Sequence, residues 1–433
     1  MKKKMIVVVM VGIALLLVGL GVSKVFGLGF KKVAVEELDV PGWRMEQSIS
    51  NPNYEFYKDE YDIVRNTDAL SGAAKKYYSK YMDYKAPNGK AIRLLAMDQV
   101  KDEQLLYAHS ILSFYLSSNE NIDKTSIANQ MADSHTVLII PNGADRDGKT
   151  PMAAMALGQN LNQMEIANVG SKWYIDCDYQ HRDASFEEIF HMVHDYGVGT
   201  RQNPGADPAI AEMIGLAKDH ALPLRESDWG KKGLWGFNSV NWLKELSKEG
   251  SLEQEYIVSV IDSYYGLWDS WADGQGGMWG IYCAKNRKEI AEKDPKGKAI
   301  VDYFLNENID QMLRVDPSFE GEFFMTQEES KPYTTKSQYL QKISLTGSKD
   351  SALSANELDN TLMGNSGFNR IDGKSGNDVV QFRGHSGQYT IVQKNSEIVV
   401  TDQVQGRDGV NTLINIELLR FTDKDLKMEE HSM

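Results

Sequence analysis

Residues 355–381 read ANELDNTLM GNSGFNRID GKSGNDVVQ, three frames of nine residues laid end to end. Glycine opens the second and third frames at Gly364 and Gly373 and returns at Gly367 and Gly376, while Leu362, Ile371 and Val380 hold one apolar place in each frame. A short fixed period marks a chain that stacks one small unit on the next, because a single unit cannot bury its apolar face alone. Glycine makes the tight turns and the apolar place faces inward. Downstream, residues 389–392 and 397–402 and the stretch GRDGVNTL at 406–413 continue in a strand-like pattern. Residues 353–433 are therefore read as a β-rich terminal module.

The frame resembles the G-G-x-G-x-D-x-U-x repeat of RTX (hemolysin-type) proteins, across roughly residues 353–424. The resemblance implies a β-roll that binds calcium, with Gly364, Gly367, Asn369, Gly373, Gly376 and Asp378 as its binding residues. The ligand place reads Asn360, Asn369 and Asp378, and the second glycine is replaced by Asn365 and Lys374. A hard cation takes about six to eight oxygens with carboxylates carrying most of the charge, so about one calcium at most is expected. A metal-free roll acting as a folding cap or adhesion module is the other reading.

Outward from the repeat, residues 326–352 are polar and aperiodic and read as a linker. The central region, residues 54–325, alternates helix signals with a few strands. Asp68 precedes a helix reaching residue 84, and Asp102 precedes one that lines up Leu105, Ala108, Leu112 and Tyr115 or Leu116. HTVLIIP (135–141) and KWYID (172–176) have the short apolar character of strands. Ser185 with Glu188 forms a capping-box pattern for a helix over 186–196 that Gly197 ends. Asp207-Pro208 opens another helix, residues 253–268 form a further one, and Asp294-Pro295 opens one running to about residue 313. The fold class is thus α+β: a mainly helical central domain followed by a small β-rich module.

The chain starts MKKK, followed by an uncharged run over residues 5–23 and then Lys24, Lys31 and Lys32. A run of 19 residues exceeds the ordinary signal-peptide core of about 7–15 and approaches the span of about 20 that crosses a bilayer. Residues 1–30 are expected to be a membrane anchor or a signal segment, residues 31–53 a linker, and the remainder extracytoplasmic. The expected partners are the membrane, through this segment, and an extracellular protein or polysaccharide. The net charge of −14, from 61 acidic and 47 basic residues without a basic block, excludes nucleic acid. Cys177 and Cys283 either pair as one disulfide or are two buried thiols.

The densest titratable cluster is FEEIFHMVHDYG at residues 186–197. On a helix Glu187 and His191 share a face at i and i+4, the spacing by which His-Glu-x-x-His presents two zinc ligands, and Glu188 takes the place of the general base. A carboxylate in the first ligand place is chemically admissible for zinc. His194 and His181 are further candidate ligands, and a solvated Glu/His helix face is the competing reading. Together with EQEYIVSVIDSYYGL (253–267) and DPKGKAIVDYFL (294–305), this helix resembles the zincin core of the anthrax lethal-factor-like metallopeptidases. The resemblance implies a zinc held by Glu187, His191 and a third ligand, Glu255 or Glu253, with Glu188 as base. Two functions follow as expectations: a metal-dependent, peptidase-like hydrolase, or a catalytically silent cell-surface or secreted binding protein. Trp268, Trp271 and Trp279 suggest either an aromatic platform for sugar rings or ordinary core.

Overall fold

The computed structural model describes residues 31–32, 49–55, 63–70, 72–145, 147–171, 183–269, 271, 275–327, 338–394 and 396–428. The apolar run at 5–23, the strand read at 172–176, Cys177 and His181 lie outside them. Among the described residues no helix is long and apolar enough to cross a membrane.

The central region combines helices with one small sheet, as the α+β reading requires. Strands β2 (Lys80–Lys85) and β3 (Ala91–Ala96) form an antiparallel hairpin; β4 (Val137–Ile140) and β5 (Gln159–Asn160) then add in parallel, leaving β5 at the edge. The helices are α1 (Gly72–Tyr77), α2 (Asp102–Leu116), α3 (Thr125–Asp133), α4 (Met152–Met155) and α5 (Ser185–Val193). After these come α6 (Pro208–Ala221), α7 (Val240–Glu249), α8 (Leu252–Tyr264), α9 (Arg287–Lys293) and α10 (Pro295–Phe304). The two Asp-Pro starts work as capped N-termini: Asp207 accepts from the Ile210 amide and Asp294 from the Gly297 amide, each at 3.1 Å.

Several helix boundaries differ from the sequence reading, among them the helix read over 253–268, which spans Leu252–Tyr264. The helix read from residue 68 to 84 is only α1, and residues 80–85 are strand β2. Tyr81 and Tyr84 favour a pleated surface, and Arg93 on the facing strand locks the hairpin by binding Asp83 at 2.7 and 2.9 Å while stacking over Tyr81. The helix opened by Pro295 stops at Phe304, since Leu305 is already extended, and residues 313–314 belong to a strand.

From β6 (Leu313–Arg314) onward the chain coils, and successive strands up to residue 381 alternate between two sheets. One sheet takes β6, β8 (Lys342–Ser344), β10 (Thr361–Met363), β12 (Val379–Gln381), β16 (Leu418–Arg420) and β17 (Asp425–Lys427). The other takes β7 (Gly321–Phe324), β9 (Ser351–Ser354), β11 (Phe368–Asp372), β15 (Val410–Ile414), the hairpin β13 (Tyr389–Lys394) and β14 (Glu397–Asp402), and β1 (Lys31–Lys32) at its edge. Parallel register stacks Leu313, Ile343, Leu362, Val380 and Leu419 in one inward column, and Phe323, Leu353, Ile371 and Leu413 in the other. All nine are buried, and each such side chain contributes about 1.5–3 kcal/mol. The apolar place of the nine-residue frame therefore sets the register. The coil also takes in β6 to β9, all of which begin upstream of residue 353 and which lie partly within the stretch read as linker. Those strands are two to four residues long and carry no glycine frame, so only single inward residues mark them.

One core of buried residues runs from Ile63 to Phe421, so the coil and the helical region pack as one body. The lead-in at residues 49–55 joins the far end of the coil, with Asn51 donating to Asp425 at 2.7 Å and the Ser50 and Asn51 amides to Thr422. Within the coil, buried asparagines satisfy turn carbonyls: Asn356 and Asn360 donate to the Leu340 carbonyl, and Asn365 to those of Thr346 and Lys349. Unpaired buried carbonyls would otherwise carry a desolvation cost. The frame glycines serve close approach between coils. A Cβ on Gly376, at φ +130°, would lie 2.6 Å from the Leu358 carbonyl oxygen. Gly376→Ala is therefore expected to destabilise the protein by about 2–4 kcal/mol, combining strain with a backbone clash, as read by denaturant unfolding.

Candidate metal centre

Helix α5 is apolar on most of its surface. Phe186, Ile189, Phe190, Met192 and Val193 are buried where the helix meets α2 and α8, and Tyr115 clasps it through a 2.9 Å bond to the Phe186 carbonyl and an edge contact with Phe190. Its start is not the capping box read from the sequence. Ala184 occupies the cap, the Ser185 amide donates to Asp183 Oδ1 at 2.9 Å, and the Glu188 carboxylate turns to Gln159 instead. Its end also differs: a π-turn over His194–Val198 carries the chain past Gly197 to Gly199, whose φ of +89° and close approach to Gly205 permit the exit.

Against this apolar background three polar groups converge in the interior. Glu187 and His191, one turn apart on α5, meet Glu255 from the first turn of α8, and a ligand atom from each lies within 4.8 Å of the others. Glu187 and His191 are only 7 % and 8 % exposed, which is far from a solvated helix face. His191 Nε2 is 3.9 Å from Glu255 Oε1 and, though buried, makes no hydrogen bond. The other ring nitrogen, Nδ1, faces Glu188 Oε2 at 3.7 Å. The choice between Glu253 and Glu255 is thereby resolved. Glu253 accepts from Arg201 Nε at 2.7 Å, and Arg201 also holds Asp219 at 2.8 Å, so that carboxylate belongs to an ion-pair cluster apart from His191.

Burial alone would lower the His191 pKa, but the nearby carboxylates of Glu188, Glu255 and Asp195 outweigh it and push the value up to about 9. Metal-free, the site therefore holds a proton at neutral pH. His194 behaves oppositely: burial, reinforced by repulsion from His191, pushes it down to about 3. It is fully buried, makes no hydrogen bond through either nitrogen, and stands outside the converging group. An imidazole nitrogen with two carboxylates is a donor set that holds a divalent cation, and the open Nε2 is the atom such an ion would satisfy. Because an incoming metal must displace the His191 proton, affinity is expected to rise by about tenfold per pH unit up to about pH 9, as read by chelator competition across that range.

Among the described residues this is the one such group of three or more His, Cys, Asp or Glu, and the repeat supplies none. Calcium thus lacks a carboxylate cluster of this kind there. Two of the three ligand places hold the neutral side chains of Asn360 and Asn369, which bring no carboxylate charge and whose amide nitrogens donate to backbone carbonyls. Gly364, Gly367, Gly373 and Gly376 all stand where a neighbouring coil leaves no room for a Cβ. Asp378 is different. Its Oδ1 accepts the Asn360 amide at 2.9 Å, but its buried Oδ2 makes no hydrogen bond. Burial first, then the nearby Glu417, Asp359 and Asp372, push its pKa up to about 8. Of the three tryptophans of the candidate platform, Trp268 and Trp271 are buried in the core and Trp279 is exposed, so no three-ring platform faces outward. Cys283 is a half-buried thiol raised by burial to about 12.

Sequence reasoning missed Gln159. It lies on a two-residue strand with no pattern to mark it, and only the sheet brings it to α5. No protein-family model and no curated protein matches the chain.

Proposed function

We propose that this protein is an exported, zinc-dependent hydrolase of peptidase-like type, on a zincin-like helical scaffold with an RTX-like terminal coil. The observation that carries the reading is the buried convergence of Glu187, His191 and Glu255 within 4.8 Å. One nitrogen and two oxygens suit zinc, whose bond lengths to such ligands are about 2.0–2.2 Å. When bound, the ion supplies Lewis acidity toward a substrate carbonyl. Glu187 and Glu255 offset its charge, His191 orients it through Nε2, and Glu188 accepts and returns the reaction's proton. Export rests on the lysine-flanked apolar run at residues 5–23.

The test is hydrolysis of a mixed peptide library by the zinc-loaded full chain. Activity should vanish with a chelator, return with zinc, and fall by about 100-fold or more in Glu188→Gln at saturating zinc. The bond from Gln159 to Glu188 favours one second reading, a non-catalytic binding protein stabilised by its metal. Zinc binding without chelator-sensitive hydrolysis would select it. For the coil we propose at most one calcium, at Asp378, supported by its unsatisfied Oδ2 and the carboxylates around it.

A further inference from the structure

We propose that Gln159 is a positioning residue: through Glu188 it fixes the proton of His191 on Nδ1 and so presents Nε2 to the metal. This rests on the metal reading above but concerns residues outside the ligand set. The geometry is a chain of three side chains meeting at one oxygen. Gln159 Nε2 donates to Glu188 Oε2 at 2.7 Å, and the same oxygen stands 3.7 Å from His191 Nδ1. Glu255 approaches the opposite ring nitrogen. Each ring nitrogen of His191 therefore faces a different carboxylate, and the Glu188 side is anchored from the sheet.

That anchor matters because Glu188 is one of four charged or chargeable groups on or beside α5 that draw on His191, with Glu187, Glu255 and Asp195. A carboxylate with rotational freedom could turn to either nitrogen and compete for Nε2 itself. The amide of Gln159 holds Oε2 on the Nδ1 side of the ring. Strand β5 is the edge strand of the small sheet and lies against α5, so the sheet, rather than the helix, sets where the carboxylate points. A carboxylate on the second nitrogen of a ligating histidine fixes its tautomer, and losing such a partner lowers metal affinity by about 10–100-fold. The assignment also gives Glu188 a role that does not depend on its acting as a base.

The experiment uses the full chain and compares wild type, Gln159→Leu and Gln159→Glu. Zinc affinity is measured by chelator competition, and the ring N–H signals of His191 by ¹H–¹⁵N NMR in metal-free and zinc-loaded protein. Wild type should show a slowly exchanging Nδ1–H, and in both variants that proton should exchange faster and zinc should bind about 10–100-fold more weakly. Gln159→Glu adds repulsion and should be the worse of the two. The double variant Gln159→Glu with Glu188→Gln restores a donor facing an acceptor and should recover part of both signals, which a general loss of folding would not do. Unchanged affinity and an unchanged Nδ1–H in Gln159→Leu would overturn the proposal. If wild type binds no zinc while its metal-free Nδ1–H still exchanges faster in Gln159→Leu, the metal reading fails and the positioning role stands.

Discussion

His191→Ala is expected to reduce bound zinc from one equivalent to none and to weaken affinity by more than about 1000-fold, because it removes the nitrogen ligand of a three-residue donor set. It should also destabilise the metal-free protein at neutral pH. There the protonated imidazole offsets the carboxylates of Glu188 and Glu255, and truncation removes that positive charge from beside them. Breaking such a buried arrangement costs about 2–4 kcal/mol. The pH dependence has a fixed sign. A folded pKa raised from 6.5 to about 9 gives stability that is fully present below 6.5 and lost as pH rises through 9. The gap between wild type and His191→Ala, read by denaturant unfolding without metal, should therefore be largest near pH 6 and narrow toward pH 9–10. A gap that widens with pH would contradict the assignment of charge.

Asp378→Asn is expected to stabilise the metal-free protein at alkaline pH, an unusual direction for a buried substitution. Its carboxyl rises from 3.8 to about 8 in the fold, so its contribution is fully present below 3.8 and lost as pH climbs through 8. Above that pH wild type must keep a charge buried beside Glu417, Asp359 and Asp372, whereas asparagine stays neutral and can still accept the Asn360 amide. The shift sets an upper bound of about 5–6 kcal/mol at 1.36 kcal/mol per unit, of which relaxation and water entry leave about 2–4 kcal/mol. The two proteins should be close in stability at pH 4–5 and diverge by pH 8.5, as read by thermal and urea unfolding. Millimolar calcium should then stabilise wild type and leave Asp378→Asn unmoved. A wild type indifferent to calcium would leave the proton as the means by which this carboxyl is neutralised.

Much of this architecture is legible in the chain because it depends on local chemistry. The nine-residue frame gives the apolar column of Leu362, Ile371 and Val380, and the Asp-Pro pairs give two helix starts. Glu187 and His191 are readable as neighbours because a helix fixes their spacing. What the sequence leaves open depends on contacts between distant segments. Glu253 and Glu255 look equivalent until Arg201, some 50 residues away, takes the first of them. Glu188 reads as half of a capping box until β5 brings Gln159 to it. The early coil strands are short and polar, and only their partners in the later frames give them register. The ligand places of the repeat read as calcium chemistry, yet the amide nitrogens of their two asparagines tie turn carbonyls between coils, a structural use that the frame alone does not reveal.

The central claim, a metal held between α5 and α8, is tested most directly by X-ray absorption at the zinc edge of the full chain loaded with one equivalent of zinc. The account predicts one imidazole nitrogen and carboxylate oxygens at about 2.0–2.2 Å and no sulfur, with the imidazole signal absent in His191→Ala. A shell containing sulfur, a shell without imidazole in the wild type, or a protein that emerges from equimolar zinc with none bound would contradict it.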